Sequence, residues 1–187
     1  MTRASGMTSA ELLFGIALGL VGLTAMTSLL SASLSACERA GTGTEARVAT
    51  ASTIDQFTRD VRLAGYDPRE SGITGIVEAG PTSLQMQADL DGNGSIDPNS
   101  EERVSYWLAS SGASLQRVVG AQAMPILSGL KDGGVRLRYF DAAGDELDPT
   151  HPGAADTIRE ITIDIELERT RTIPAIRMTG GARLLNR

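Results

Sequence analysis

Residues 6–37 read GMTSAELLFGIALGLVGLTAMTSLLSASLSAC, and this stretch decides the architecture. Between Glu11 and Glu38 there is no charged side chain for 26 residues. As a helix rising about 1.5 Å per residue, such a run exceeds a hydrocarbon core of roughly 30 Å. Gly15, Gly19, Gly22 and several Ser and Thr dilute it. Small residues on one helix let other helices approach closely, so lipid need not be its only neighbour. A carboxylate entering a bilayer or a dry bundle costs several kcal/mol unless it is paired. Glu11, at the mouth of the run, is therefore a functional candidate whose expected partner is an amine at similar depth.

Three readings compete for the segment. A cleaved secretory signal has a positive start and an apolar stretch of about 7–15 residues; here the run is longer and Glu11 stands at its entrance. A lipoprotein signal would place a lipidated cysteine at Cys37, because Leu34-Ser35-Ala36-Cys37 matches a lipobox, again behind too long an apolar region. The third reading starts from a short polar leader with Arg3 that ends in Gly6, followed by Met7-Thr8-Ser9-Ala10-Glu11-Leu12-Leu13. This constellation resembles the type III signal of type IV prepilins and type II secretion pseudopilins. The resemblance implies cleavage between Gly6 and Met7 by a membrane prepilin peptidase, and N-methylation of Met7. The family often has phenylalanine at the first mature position; Met7 departs from that but stays apolar. The resemblance also implies that Glu11 serves assembly, pairing with the N-terminal amine of a neighbouring subunit.

Working outward, Ala46, Val48, Ala49, Ile54, Phe57, Val61, Leu63 and Ala64 recur close to helical spacing. Gly65 and then Asp67-Pro68 close the pattern. The spacing predicts one helix over residues 8–64, interrupted or kinked by the Gly41-Thr42-Gly43-Thr44 patch. Beyond Pro68, strands are expected at 73–77, 83–87, 103–108, 114–119, 135–140, 158–168 and 175–184. Residues 159–168 alternate cleanly: Ile161, Ile163, Ile165 and Leu167 share one face, and Thr162, Asp164, Glu166 and Glu168 the other. That is a half-buried antiparallel strand. The expected fold class is α+β, a long N-terminal helix on a mostly antiparallel head.

The segment Arg59-Asp60-Val61-Arg62-Leu63-Ala64-Gly65-Tyr66 resembles the R-D-x-R-x-A-G-Y segment of PilW-type minor pilins. With the leader, it implies a pilin-like fold divided into leader 1–6, hydrophobic helix 7–40 and globular head 41–187. The implied function is a minor pilin that primes or caps assembly of a type IV pilus. Its implied partners are the prepilin peptidase, the inner-membrane assembly platform, the major pilin, other minor pilins and a tip adhesin. The implied location is the bacterial inner membrane with a periplasmic head, then the extracellular pilus. A J-type pseudopilin of type II secretion shares leader and head architecture. From a different class, the alternative is a lipid-anchored calcium-binding surface module. Arg59, Asp60 and Arg62 by themselves read as a solvated helix end with weak local ion pairs.

One further motif carries chemistry. Asp89-Leu90-Asp91-Gly92-Asn93-Gly94-Ser95-Ile96-Asp97 follows the first nine positions of an EF-hand calcium loop. Alternate oxygen donors in a tight loop converge on one point, as a hard cation taking six to eight oxygens requires. Asp89, Asp91 and Asn93 would bind through side chains, Ser95 through its carbonyl, and Asp97 directly or through water. The match ends at the twelfth position, Ser100, with Glu101 and Glu102 just beyond it. The plain alternative is a Gly/Asn/Asp-rich hairpin turn.

The rest of the composition excludes more than it assigns. The chain has 187 residues, 41% of them hydrophobic and 21% charged, which argues against a disordered polyelectrolyte. A net charge of −6 disfavours direct nucleic-acid binding. One cysteine and one histidine exclude an internal disulfide and a zinc site of several Cys or His ligands. Cys37 reads as an inert buried thiol, and His151 as part of an exposed turn. No serine elbow, P-loop or dinucleotide fingerprint is present, so no enzymatic activity is expected.

Overall fold

The structure is a computed structural model and describes residues 8–109, 112–151, 153–170 and 173–186. A single helix, α1, runs from Ser9–Leu63. It continues without interruption through Gly41 and Gly43, where the sequence predicts an interruption or a kink. A glycine inside a helix costs only about 1 kcal/mol. The neighbouring Thr42 hydroxyl also bonds back to the Glu38 carbonyl at 3.0 Å.

The chain divides between Thr42 and Gly43 into two compact units. In the first, large apolar side chains are bare, with Phe14 70% and Met26 74% exposed. Most of the diluting hydroxyls are hydrogen-bonded within the helix. Thr24, Thr27, Ser31 and Ser35 each donate to a carbonyl three or four residues back, at 2.8–3.0 Å. Ser28 does the same to Thr24. Polar groups bonded inside the helix avoid most of their cost in an apolar medium. Length and composition suit α1 to crossing a membrane. Cys37 is exposed along this part of the helix, not buried.

The second unit has the expected α+β, pilin-like layout, but with two antiparallel sheets. The first is a meander of β1 (Ile76–Ala79), β2 (Ser83–Gln87), β3 (Arg103–Leu108), β4 (Ser114–Val119) and β5 (Gln122–Ser128). The second contains β6 (Leu130–Phe140), β7 (Glu146–Leu147), β8 (Glu160–Leu167) and β9 (Ile176–Arg183), in the order β7-β6-β8-β9. A short helix α2 (Ala154–Thr157) precedes β8. In β8, Ile161, Ile163 and Ile165 are fully buried, as the alternation predicts. On its outer face the acids Asp164 and Glu166 stand between basic strands. Arg138 lies 3.1 Å from Asp164, and Lys131 lies 2.7 Å from Glu166. Such cross-strand pairs fix register more than they stabilise.

One core joins the helix to both sheets: Phe57 and Val61 of α1 meet Leu84, Tyr106 and Leu115 from one sheet and Leu137, Tyr139 and Ile163 from the other. Glycine permits close approach where Ile54 of α1 occupies the place a Cβ on Gly180 would need. The sheets are also pinned by a tyrosine. The buried Tyr139 hydroxyl donates to the Gly80 carbonyl at 2.7 Å and accepts from the Gly80 N–H at 3.2 Å. Burial pushes its pKa well above the ordinary tyrosine value, so it stays a neutral donor. Tyr139→Phe removes the donor to the Gly80 carbonyl, while Gly80 N keeps its bond to the Ser83 carbonyl at 2.8 Å, and is expected to cost about 1–3 kcal/mol. A thermal melt checks this; an unchanged melting temperature would remove the pin from the account.

Candidate functional site

At the start of α1, Thr8 and Glu11 form a reciprocal pair. Glu11 Oε2 accepts from Thr8 N at 2.9 Å and from Thr8 Oγ1 at 3.0 Å, and Glu11 N donates to Thr8 Oγ1 at 3.3 Å. This is a capping box, with two of the helix's orphan donors satisfied by two side chains. Thr8-Ser9-Ala10-Glu11 carries that spacing in the sequence. The carboxylate therefore has a local task at the start of the helix. Gly6 and Met7 lie outside the described residues.

At the other end of α1, the Arg-Asp-Val-Arg segment does more than solvate a helix terminus. Arg59 and Arg62 are exposed, but Asp60 faces inward and is 8% exposed. Its Oδ2 accepts from Tyr106 Oη of β3 at 2.6 Å and from Arg117 Nε of β4 at 2.8 Å. Its Oδ1 accepts from Arg117 Nη2 at 3.2 Å. Phe57, one turn earlier, meets the Tyr106 ring edge-on at 5.2 Å. Burial and the adjacent Asp60 charge push the Tyr106 pKa far up, so the phenol stays protonated. Burial opposes the Arg117 charge, but the hydrogen bond and charge of Asp60 outweigh it and its pKa rises. Asp60 thus anchors the helix to the first sheet.

The rest of the segment leads to the acidic loop. Gly65 has φ +76°, and a Cβ there would lie 3.0 Å from the Asn186 carbonyl, so glycine ends the helix. The Tyr66 carbonyl then accepts from Asp89 N at 2.8 Å. Asp89 is fully buried, and its two oxygens accept from Asn93 N at 3.0 Å and Gly94 N at 2.8 Å.

Of the five loop residues expected to ligate a metal, the structure draws together the carboxylates of Asp89 and Asp91. They are joined by Glu102, all three offering an oxygen within 4.8 Å of one another. Asn93 stands beside them, its Nδ2 donating to Asp91 Oδ2 at 2.8 Å. Ser95 donates its N and Oγ to Asn93 Oδ1. Asp97 does not join the acidic cluster; its Oδ1 accepts from Asn99 N at 2.9 Å. Sequence reasoning missed Glu102, two positions past the twelfth of the loop pattern. It is 5% exposed, and its oxygens accept from Leu90 N at 3.2 Å and Asp97 N at 2.8 Å. An all-oxygen set of three carboxylates suits a hard divalent cation.

Glu102 also lines a cleft of about 600 Å³, together with Leu63, Leu90, Val104, Arg117 and Met124. No family model and no curated protein matches this chain.

Proposed function

We propose that the chain is a minor pilin of the PilW type. It is cut between Gly6 and Met7 by the prepilin peptidase, methylated on Met7, and held in the bacterial inner membrane by α1 with its head in the periplasm. The assembly platform then incorporates it, with other minor pilins, the major pilin and a tip adhesin, into a complex that primes or caps a type IV pilus. It is a structural subunit and performs no catalysis.

The observation that carries this reading is α1 itself. Its first part is bare, apolar and uncharged from Leu12 to Cys37, and its last part is built into the core of the head through Phe57, Asp60 and Val61. A helix shared in this way couples an insertion element to a folded domain.

Glu11→Gln tests the proposal more sharply than Glu11→Ala. Glutamine serves in a capping box as glutamate does, so helix start and insertion are retained while the charge is lost. Alanine removes both, and loss of the box costs about 1 kcal/mol at the helix end. The expected result is normal cleavage and membrane insertion of Glu11→Gln, with pilus number strongly reduced and little variant recovered in sheared fibres. Wild-type pilus number with Glu11→Gln would reject the assembly role. Intact mass of the mature protein checks processing: an N-methylated Met7 start is expected, and a diacylated Cys37 start would overturn the reading.

The acidic loop is proposed as a calcium site of Asp89, Asp91 and Glu102, with Asn93 alongside. Bound there, calcium would supply positive charge to a loop rich in carboxylates and tie the β2 end to the β3 start.

A further inference from the structure

The edge of a sheet is a row of unpaired N–H and C=O groups, and folded proteins blunt it with short strands, proline or bulges. Three of the four edges in the head are blunted in this way. β7 has two residues, β1 has four and a register shift, and β5 carries Pro125 and a register shift. β9 is different. It runs for eight residues, in unbroken register with β8 and without proline. It is the last strand of its sheet, and among the described residues no backbone hydrogen bond reaches it except from β8. Its middle, Met178-Thr179-Gly180-Gly181-Ala182, is uncharged.

The charges around that edge select what pairs with it. On the outer face of the sheet β6 is basic through Arg136 and Arg138, and β8 is acidic through Glu160, Asp164 and Glu166. β9 is basic again through Arg177 and Arg183, both exposed. Glu166, opposite Arg177, is already held by Lys131 at 2.7 Å, and Arg183 keeps 72% of its side chain exposed beside Glu160. A second copy of β9 laid antiparallel about Gly180 would set Arg177 against Arg183, and like charges directly opposite are destabilising. A strand with acids at those two places continues the alternation of sign instead.

We propose that the free edge of β9 docks an extended segment of another protein, with acids placed opposite Arg177 and Arg183 and apolar residues on the segment's other face. The segment adds as one more antiparallel strand. Its backbone meets the unpaired groups of the edge, and its acids fix the register. Its apolar side chains fall on the inner side of the sheet, in line with the buried Ile176 and Ala182. β8 itself has this pattern on the other edge of the same strand, where Glu160 stands opposite Arg183 and Glu166 opposite Arg177. The proposal needs neither a metal in the acidic loop nor the pilin reading.

The probe is a synthetic peptide with the sequence of residues 160–167, and the readout is amide hydrogen exchange of the full chain in detergent, located by mass spectrometry. Excess peptide is expected to slow exchange in residues 176–183 and to leave residues 122–128 unchanged. A peptide with lysine in place of Glu160, Asp164 and Glu166 should bind about tenfold more weakly. The acidic peptide should lose a similar factor against the double variant Arg177→Gln with Arg183→Gln, whose melting temperature checks that it folds. Added salt should weaken the acidic peptide, because the pairs are exposed. Unchanged exchange in 176–183, protection of 122–128 instead, or equal binding of the lysine peptide overturns the proposal. Protection of 176–183 that grows with protein concentration alone would make the occupant a second copy, and overturns it as well.

Discussion

Asp60→Ala lowers the stability of the head by about 3 kcal/mol, the cost of breaking a buried ion pair from one side. Arg117 then keeps its charge at 18% exposure with no carboxylate at 2.8 Å, and the Tyr106 phenol loses its acceptor. At about 2–4 °C per kcal/mol for a domain of this size, the melting temperature falls by roughly 6–12 °C. Asp60→Asn isolates the charge, because the amide oxygen can still accept from Tyr106. Its loss should lie between wild type and Asp60→Ala. Removing both charges at once, as Asp60→Leu with Arg117→Met, is expected to cost less than Asp60→Ala alone, since the stranded cation is gone. A drop of under about 2 °C in Asp60→Ala would mean that apolar packing of Phe57 and Val61 carries the helix without the pair.

How far this was legible in the chain depends on the kind of signal. Strands β2, β3 and β4 fall where alternation places them, and the isoleucines of β8 face the core as their period requires. Strand β5 escaped because Pro125 lies inside it. A proline is tolerated only at a sheet edge or bulge, and both conditions hold: β5 is the last strand, with a register shift opposite Leu115 and Gln116. Strand β6 begins at Leu130, five residues before the expected strand at 135–140, and Gly133 and Gly134 lie where its pairing with β8 shifts register. The Gly41–Gly43 patch misled in the opposite direction, because local propensity of about 1 kcal/mol per glycine cannot end a helix embedded in so long an element.

At the sites, local pattern was readable and tertiary partners were not. Asp89 and Asp91 follow from loop spacing, but Glu102 reaches them only because the β2–β3 pairing returns it to the loop's origin: Gln87 stands opposite Arg103, and Ala88 N donates to the Glu102 carbonyl. Likewise Asp60 is indistinguishable from Arg59 and Arg62 on a bare helix. Its identity as the inward residue depends on Tyr106 and Arg117, 46 and 57 positions away.

Calcium is expected to raise the melting temperature of the protein, and Glu102→Gln is expected to abolish most of that rise. Asp89 and Glu102 are buried carboxylates within 4.8 Å of Asp91. Backbone N–H groups of Leu90, Asn93, Gly94 and Asp97 meet part of their charge. A divalent cation at their convergence would remove the remaining like-charge repulsion. Because an ion that binds only the folded state stabilises by RT ln(1 + [L]/Kd), calcium at about 100 times Kd adds roughly 2.7 kcal/mol. The loop lacks an acid at Ser100, so Kd should fall near the weak end for such loops, about 10⁻⁴–10⁻³ M. Magnesium should be the poorer ligand, since it demands near-octahedral geometry and sheds water reluctantly. Thermal melts of the full chain in detergent, with millimolar calcium, with magnesium and with chelator, decide the matter. A melting temperature that is the same in all three conditions, and the same again for Asp91→Ala, would reduce the loop to a turn whose carboxylates do no more than cap backbone donors.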